Sequence, residues 1–410
     1  MSQPLASQAP RVLVLGSYPV TQPRHGGQIR LAQIVQAYRA RGMRVHLATY
    51  FPANTTYLAA PRGPGDVALP ADRLQSWRGH VAPFIEDLAS GEFVAADEAR
   101  VQALERQAGA CDIVHLEQPW LLPLVLRLRA RGRLGAFRLV YGSQNIEHRL
   151  KRAIFEQYRV QDGEPLLQAI ESLEREAACA SDVVAAVTRE DANVLSGWTG
   201  RPVVLAANGI QPWASDAAEQ ARWRERLGPQ PFALYVASAH PPNIVGFCES
   251  FGTCLAALAP GQRVVLAGSV AEPLMASPWY REWEPLNQRR VYSVGMVSDR
   301  ELSALRDLAR TFILPMTSGE GSNLKSAEAL YAGRWVVATP HAMRGFEAFA
   351  ASPRVRVCEP GATFGQAVRQ TLLQAAPALD PAQDAQRQHL TWAHTLHDLC
   401  EALADTEVTA

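Results

Sequence analysis

Several signatures are missing from this sequence, and each absence removes a class of protein. The six cysteines (Cys111, Cys179, Cys248, Cys254, Cys358 and Cys400) never form Cys-x-x-Cys. That excludes the thiol spacing of a zinc ribbon or a thioredoxin-type redox site. They read instead as small apolar residues of a reducing compartment. No apolar run of about 18 residues occurs, so no transmembrane helix is expected. Residues 1–10 have neither a positive n-region nor an apolar h-region, so no leader peptide is expected and cytoplasm is the default location. Net charge is also missing: 40 Lys plus Arg balance 40 Asp plus Glu. Nucleic-acid binding rests on phosphate neutralisation, so no nucleic-acid partner is expected. The first strand runs into LVLGSYPVTQPRHGG without Gly-x-Gly-x-x-Gly, which argues against a nicotinamide-dependent oxidoreductase.

What is present is a long alternation. The chain has 410 residues, 48% hydrophobic and 20% charged, which suits a globular protein of two domains. RVLVL (Arg11 to Leu15) is a strand buried on both faces. A Pro/Gly loop, Gly16 to Gly27, leads to a helix with Leu31, Ile34, Val35 and Tyr38 at i, i+3, i+4, i+7, stopped at Gly42. Strands follow at Arg44–Tyr50, Ile113–Leu116, Leu139–Tyr141 and Val183–Val187, with helices at Leu121–Arg131 and Glu164–Cys179. Thr188 to Asp191 reads as a helix start. Residues 51–100 are irregular, with one helix expected near His80 to Leu88. Residues 211–231, polar with three prolines, read as a linker. The rhythm then restarts, with strands at Phe232–Ala237, Arg263–Ala267, Arg290–Val294, Thr311–Leu314, Trp335–Ala338 and Val355–Cys358. Alternating β and α implies parallel sheets with right-handed crossovers. The expected fold class is α/β, with two Rossmann-like doubly wound domains and ligands beyond the carboxyl ends of the strands, in the cleft between the domains.

The segment Thr311 to Pro340 carries the chemistry. The strand TFILP enters the loop MTSGEGS, then the helix NLKSAEALYA, stopped at Gly333. Free N–H groups of Gly321, Ser322, Asn323 and Leu324 at that helix start, with the helix dipole, suit a diphosphate. Gly319 and Gly321 let backbone approach a ligand closely. Lys325, one turn in, can bring its ammonium to the same phosphates. Glu320 and Glu328 can each accept paired hydroxyl hydrogen bonds from a sugar or ribose diol. That is the outline of a site for a nucleotide sugar.

The stretch SGEGSNLKSAEALYAGRWVVAT resembles the Glu-x7-Glu signature of retaining glycosyltransferases of family four, which have the GT-B fold. RVLVLGSYPVTQPRHGGQIR resembles that family's first strand and Gly-Gly loop. ANGI (Ala207 to Ile210) is similar to its interdomain turn, FALYVASAHPPN to the first strand of its second domain, and HAMRGFE to a later glycine loop. The order of these pieces is more specific than any one of them. The resemblance implies donor-sugar contact by Glu320, ribose contact by Glu328, and diphosphate contact by Gly26 and Gly27. It places Gln144 where the family often has a histidine, with Asn145 and His148 beside it. It also implies an acceptor-binding domain over 1–207, a nucleotide-sugar domain over 208–385, and a C-terminal helix over 386–410 packing back on the first domain.

The sequence also departs from the family. Members often carry an Arg and a Lys after the first strand of the second domain, whereas Ser238 to Asn243 has neither. Some members of the family share this Pro-Asn form and carry a lysine inside the helix motif, as Lys325 does here. The resemblance to that subgroup implies Lys325 as the main phosphate cation, with Arg344 second and His240 as a hydrogen-bond donor. His115 ends a strand and is a further candidate. No Asp-x-Asp occurs, so neither a metal nor a cofactor is expected. The implied partners are a nucleotide-sugar donor and a sugar, lipid-linked or other hydroxyl acceptor in bacterial surface polysaccharide or glycoconjugate synthesis. That role is compatible with peripheral association at the inner membrane face, although no strong basic amphipathic helix is present. A non-hydrolysing nucleotide-sugar epimerase and a non-catalytic sugar-binding scaffold are the alternatives.

Overall fold

The computed structural model describes residues 9–54, 57, 60–318 and 324–404. The chain divides into two compact units, one of residues 1–207 with 395–410, the other of residues 208–394.

In the first unit the strands are β1 (Arg11–Gly16), β2 (Arg44–Pro52), β3 (Asp66–Leu69), β4 (Ser76–Trp77), β5 (His80–Val81), β6 (Ile113–Glu117), β7 (Arg138–Ser143), β8 (Val183–Ala186) and β9 (Val204–Leu205). Among the described residues, seven of them form one parallel sheet in the order β3-β2-β1-β6-β7-β8-β9. The helices are α1 (Gly26–Ala40), α2 (Glu86–Ala96), α3 (Glu98–Ala108), α4 (Leu122–Arg131), α5 (Glu147–Gln157), α6 (Glu164–Ala180) and α7 (Arg189–Thr199). Continuous apolar runs form the central strands because both sheet faces are covered. Leu13, Leu15, Val114, Leu116 and Leu139 are fully buried. Thr188 caps α7 by accepting from Asp191 N at 3.0 Å.

Three expectations need correction. His80 to Leu88 is not a single helix. The β4–β5 hairpin occupies its start and α2 begins at Glu86. Arg78 and Gly79 turn that hairpin with φ of 46° and 87°, the two positive values a tight primed turn demands. Arginine is an uncommon residue there, so the usual Asn-Gly signal is missing. The helix α5 was not anticipated. Residues 211–231 are not a linker either, because α8 (Ala217–Leu227) lies within them. Asp216 caps it by accepting from Ala218 N and Glu219 N at 2.7 and 3.2 Å. Its polar surface hides a one-sided pair, Trp223 and Leu227 at i and i+4, both buried in the second unit's core.

The second unit continues with α9 (Pro241–Phe251), three short helices α10 (Ala271–Ala276), α11 (Pro278–Glu282) and α12 (Glu284–Asn287), then α13 (Asp299–Leu308), α14 (Leu324–Tyr331), α15 (Ala362–Leu373) and α16 (Pro381–Gln388). Its strands are β10 (Phe232–Val236), β11 (Arg263–Ala267), β12 (Val291–Gly295), β13 (Thr311–Leu314), β14 (Trp335–Ala338) and β15 (Val355–Val357). They form a parallel sheet in the order β12-β11-β10-β13-β14-β15. In both units the strand order reverses beside the first strand, at β1/β6 and at β10/β13, and such switch points open crevices at the carboxyl ends.

The division between the units falls within α17 (Trp392–Thr395), not at 386. Ile210 N donates to Leu390 O at 2.8 Å and Trp392 N to Ile210 O at 3.1 Å, which keeps residues 386–394 with the second unit. The last helix, α18 (His397–Ala404), belongs to the first unit, where Leu399, Cys400 and Leu403 are buried and Arg138 donates to Ala402 O at 3.0 Å. No helix among the described residues is long and apolar enough to cross a membrane.

Candidate active site

The β10/β13 switch point of the second unit brings two helix starts together. β10 ends in the loop Ser238–His240, and α9 begins with Pro241 and Pro242. β13 ends at Pro315–Ser318, and α14 is described from Leu324. The two approach closely because Gly246 has no side chain: a Cβ there would meet Pro315 O at 2.2 Å. Lys325 reaches back from α14 and its ammonium donates to Asn243 Oδ1 on α9. Asn243 Nδ2 donates to Ser238 O at 3.0 Å. Burial lowers Lys325 to about 8, partly offset by the Glu328 carboxylate. Partial burial and then the Lys325 charge lower His240 as well. Glu328, one turn beyond Lys325, pairs through Oε1 with Arg306 of α13 at 2.6 Å, and that guanidinium lies over Trp213 at 4.7 Å. Arg344 lies in the loop that follows β14 at the same end of the sheet. Thr339 Oγ1 donates to Met316 O and ties that loop to the one after β13.

The first unit has a buried polar network at its own switch point. Gly27 opens α1 wedged between Tyr18 and Gln144. A Cβ there would meet Tyr18 Oη at 2.4 Å and Gln144 Oε1 at 2.7 Å. Tyr18 Oη donates to Gln144 Oε1 at 2.6 Å, and Gln144 Nε2 donates to Glu117 Oε1 at 3.1 Å. Arg30 Nε donates to the same Glu117 oxygen at 2.8 Å, and its NH1 donates to Ala206 O at 2.6 Å. Burial raises the Glu117 carboxyl, but Arg30 and the His115 hydrogen bond outweigh it and the net shift is downward. An ionised carboxylate only accepts. His115 Nε2 therefore donates to Glu117 Oε2 at 2.8 Å, and Nδ1 takes the Tyr38 hydroxyl at 2.7 Å. A pair of carboxyl groups, Glu147 and Glu174, lies at the start of α5. Glu174 accepts from Glu147 N at 2.6 Å, and from His148 N and Nδ1 at 2.9 Å each. Burial, then Glu174, push Glu147 up to about 8.

Residues 230–372 match the family model described as glycosyl transferases group 1. That match lies wholly within the second unit. No curated protein matches the chain at significant sequence similarity. Among solved structures the chain is similar to sucrose-phosphate synthase from Thermosynechococcus elongatus, at TM-score 0.69 and 16% identity over 96% of this chain and 98% of that one. It is similar to Anabaena HepE in complex with UDP and glucose, at TM-score 0.63 and 13% identity over 97% and 100%. It is also similar to the catalytic domain of Arabidopsis thaliana starch synthase IV bound to ADP and acarbose, at TM-score 0.61 and 14% identity over 97% and 99%. These likenesses establish the fold, the α/β GT-B architecture with parallel sheets.

Within the second unit the structure brings Lys325, Glu328 and His240 together at the β10/β13 switch point, with Arg344 at the same end of the sheet. Glu320, Gly321, Ser322 and Asn323 lie outside the described residues, and Leu324 opens α14. In the first unit, Gly26 and Gly27 open α1 and Gln144 lies against Gly27, but Gln144 spends both ends of its amide on Tyr18 and Glu117. Asn145 Nδ2 donates to Glu147 Oε1 at 3.3 Å. His115 does not face a crevice at a strand end. It is fully buried in mid-strand with both ring nitrogens engaged. His148 is held by Glu174. Sequence reasoning missed Asn243, Arg306, Arg30 and Glu117, because each acts through a partner on another element, 22 residues away for Arg306 and more than 80 for the others, beyond any local spacing rule.

Proposed function

We propose that this chain is a retaining glycosyltransferase that moves a sugar from a nucleotide-sugar donor to an acceptor hydroxyl. Lys325 supports this reading most directly. It is a desolvated ammonium at the β10/β13 switch point, where doubly wound sheets bind their ligands. Solved neighbours are described with UDP, with UDP and glucose, and with ADP, which fits a nucleoside diphosphate donor here. In this reading Lys325 takes the diphosphate, Glu328 takes the ribose diol through the oxygen that Arg306 leaves open, and Glu320 contacts the sugar. The main burden of the reaction is charge on the departing diphosphate. A pre-oriented cation in a poorly solvated crevice stabilises it without reorganisation. The acceptor hydroxyl attacks on the face from which the diphosphate leaves, so configuration is retained. The first unit takes the acceptor, a sugar or a lipid-linked hydroxyl compound, in surface polysaccharide or glycoconjugate synthesis in the cytoplasm or at the inner membrane face.

A screen of nucleotide sugars for binding and slow hydrolysis tests this, with Glu320→Gln, Lys325→Ala and Glu328→Ala beside the wild type. The expected outcome is donor binding by the wild type, weakened at least about tenfold in Lys325→Ala, which corresponds to one lost charge-assisted contact. Variants indistinguishable from wild type would sink the site assignment. Product formed from the donor alone, with its sugar epimerised, would replace transfer by epimerisation.

A further inference from the structure

We propose that Asn243 is the positioning residue for Lys325, holding the ammonium through a neutral amide oxygen so that it stays aimed at the donor diphosphate with its charge unspent. The inference rests on the reading of Lys325 as the diphosphate cation.

Every polar group of Asn243 is fixed. Its N–H donates to His240 O at 2.9 Å, and its carbonyl accepts from the buried Tyr235 hydroxyl at 2.9 Å. Nδ2 donates to Ser238 O at 3.0 Å and lies 3.3 Å from Ser238 Oγ. A main-chain carbonyl can only accept, so the amide cannot flip, and Oδ1 must face Lys325. Asn243 is 7% exposed, so little water competes for that oxygen.

The start of α9 explains why a delivered cation is needed. Pro241 and Pro242 have no N–H, and the N–H of Asn243 is already taken by His240. The first turn of this helix therefore offers an anion almost none of the donors that a helix N-terminus normally presents. Its place is filled from α14, through Lys325, and Asn243 is the residue that joins the two. A carboxylate at 243 would hold the ammonium as well, but as an ion pair that competes with phosphate. An amide orients without neutralising.

The side-chain chemistry is unusual for this chain. Only two of its 40 Lys plus Arg residues are lysines, Lys151 and Lys325. Lys151 is committed elsewhere, to Asp87 at 2.7 Å and to Phe84 O. A rigid guanidinium fork fits a carboxylate or phosphate in one geometry, whereas an ammonium on a flexible stem can pass from an amide oxygen to a phosphate oxygen.

Two lysines also make the test direct. The full chain is labelled with [13Cε]lysine, and the resonance lost in Lys325→Gln identifies Lys325, with Lys151 as the internal reference. Lys325 is titrated by NMR in the wild type, Asn243→Asp and Asn243→Ser, and binding of UDP, ADP and GDP is measured by calorimetry on the same proteins. Asn243→Asp is expected to raise the Lys325 midpoint by more than about one pH unit while weakening binding of the preferred diphosphate about tenfold. Asn243→Ser, which keeps an acceptor oxygen, lies between the two. A merely structural asparagine would leave the Lys325 midpoint unmoved in both variants, and that result overturns the proposal. So does a raised midpoint with tighter binding, because charge rather than aim would then govern affinity. If Lys325→Gln binds all three nucleotides as the wild type does, the donor reading fails, and the hold of Asn243 on Lys325 is still decided by the titration.

Discussion

The Lys325 ammonium loses hydration in the fold and gains only a neutral partner and the more distant Glu328 in return, which is why it is brought down to about 8 from an ordinary value of 10.5. The consequence for stability has a definite sign. Below about pH 8 both folded and unfolded chains hold the proton, and the full cost of burying the charge is present. Between about 8 and 10.5 the folded chain releases it first, so the unfolded state binds more protons and stability rises with pH. The gain, on the order of 3 kcal/mol by about pH 10.5, should be absent from Lys325→Gln. Urea unfolding of the two proteins from pH 7 to 10.5 measures it, and parallel curves would contradict a depressed Lys325. Ligand binding runs the other way. A diphosphate needs the charged form, so its affinity should be greatest below pH 8 and decline above it. Stability and affinity with opposite pH slopes mark a residue kept for binding at some expense to the fold.

At the scale of elements, α5 shows how a helix can be started from outside its own sequence. Ile146, at its N-cap position, offers no side-chain acceptor. The carboxylate of Glu174, on α6, accepts instead from the N–H groups of Glu147 and His148 and from the His148 ring. A fully buried carboxylate at a helix N-terminus meets free donors and the positive end of the dipole. Glu174→Ala should therefore cost about 2–3 kcal/mol, the range for hydrogen bonds to a charged group left unmade. The loss should be concentrated in α5, read as faster amide exchange over residues 147–157, and uniform loss across the first unit would point to packing instead. This mode of capping explains why α5 escaped detection, since no local cap precedes it and its signal lies 27 residues away. The same reasoning separates the legible elements from the rest. The strands Arg263–Ala267, Thr311–Leu314 and Trp335–Ala338 were legible to the residue because a strand covered on both faces must be a continuous apolar run. The helix α8 was hidden by prolines and charges around a single buried stripe.

For the molecule as a whole, order along the chain and order in space differ at one place, the C-terminus. The alternation of β and α was enough to expect two parallel sheets, because each unit closes its own core from consecutive elements. Lys325 could be read as a candidate because strand, glycine loop and helix stand together in sequence. Its partner Asn243 could not, being joined to it only by the sheet order that sets β10 beside β13. The tail is the extreme case, since α18 follows the whole second unit and folds with the first. It buries Leu399, Cys400 and Leu403, its Glu401 pairs with Arg41, and Ala402 O receives Arg138. Burying three such side chains contributes several kcal/mol, at roughly 1.5–3 kcal/mol for each large one. A chain ending at His394 should therefore lose stability in the first unit, although the cut adjoins the second. Amide exchange of full-length and truncated chains separates the two cases. Protection should fall across β1, β7 and β9 and persist across β10, β13 and β14. If the second unit loosened first, α18 would not be part of the first unit's core, and the division of the chain at Thr395 would have to be redrawn.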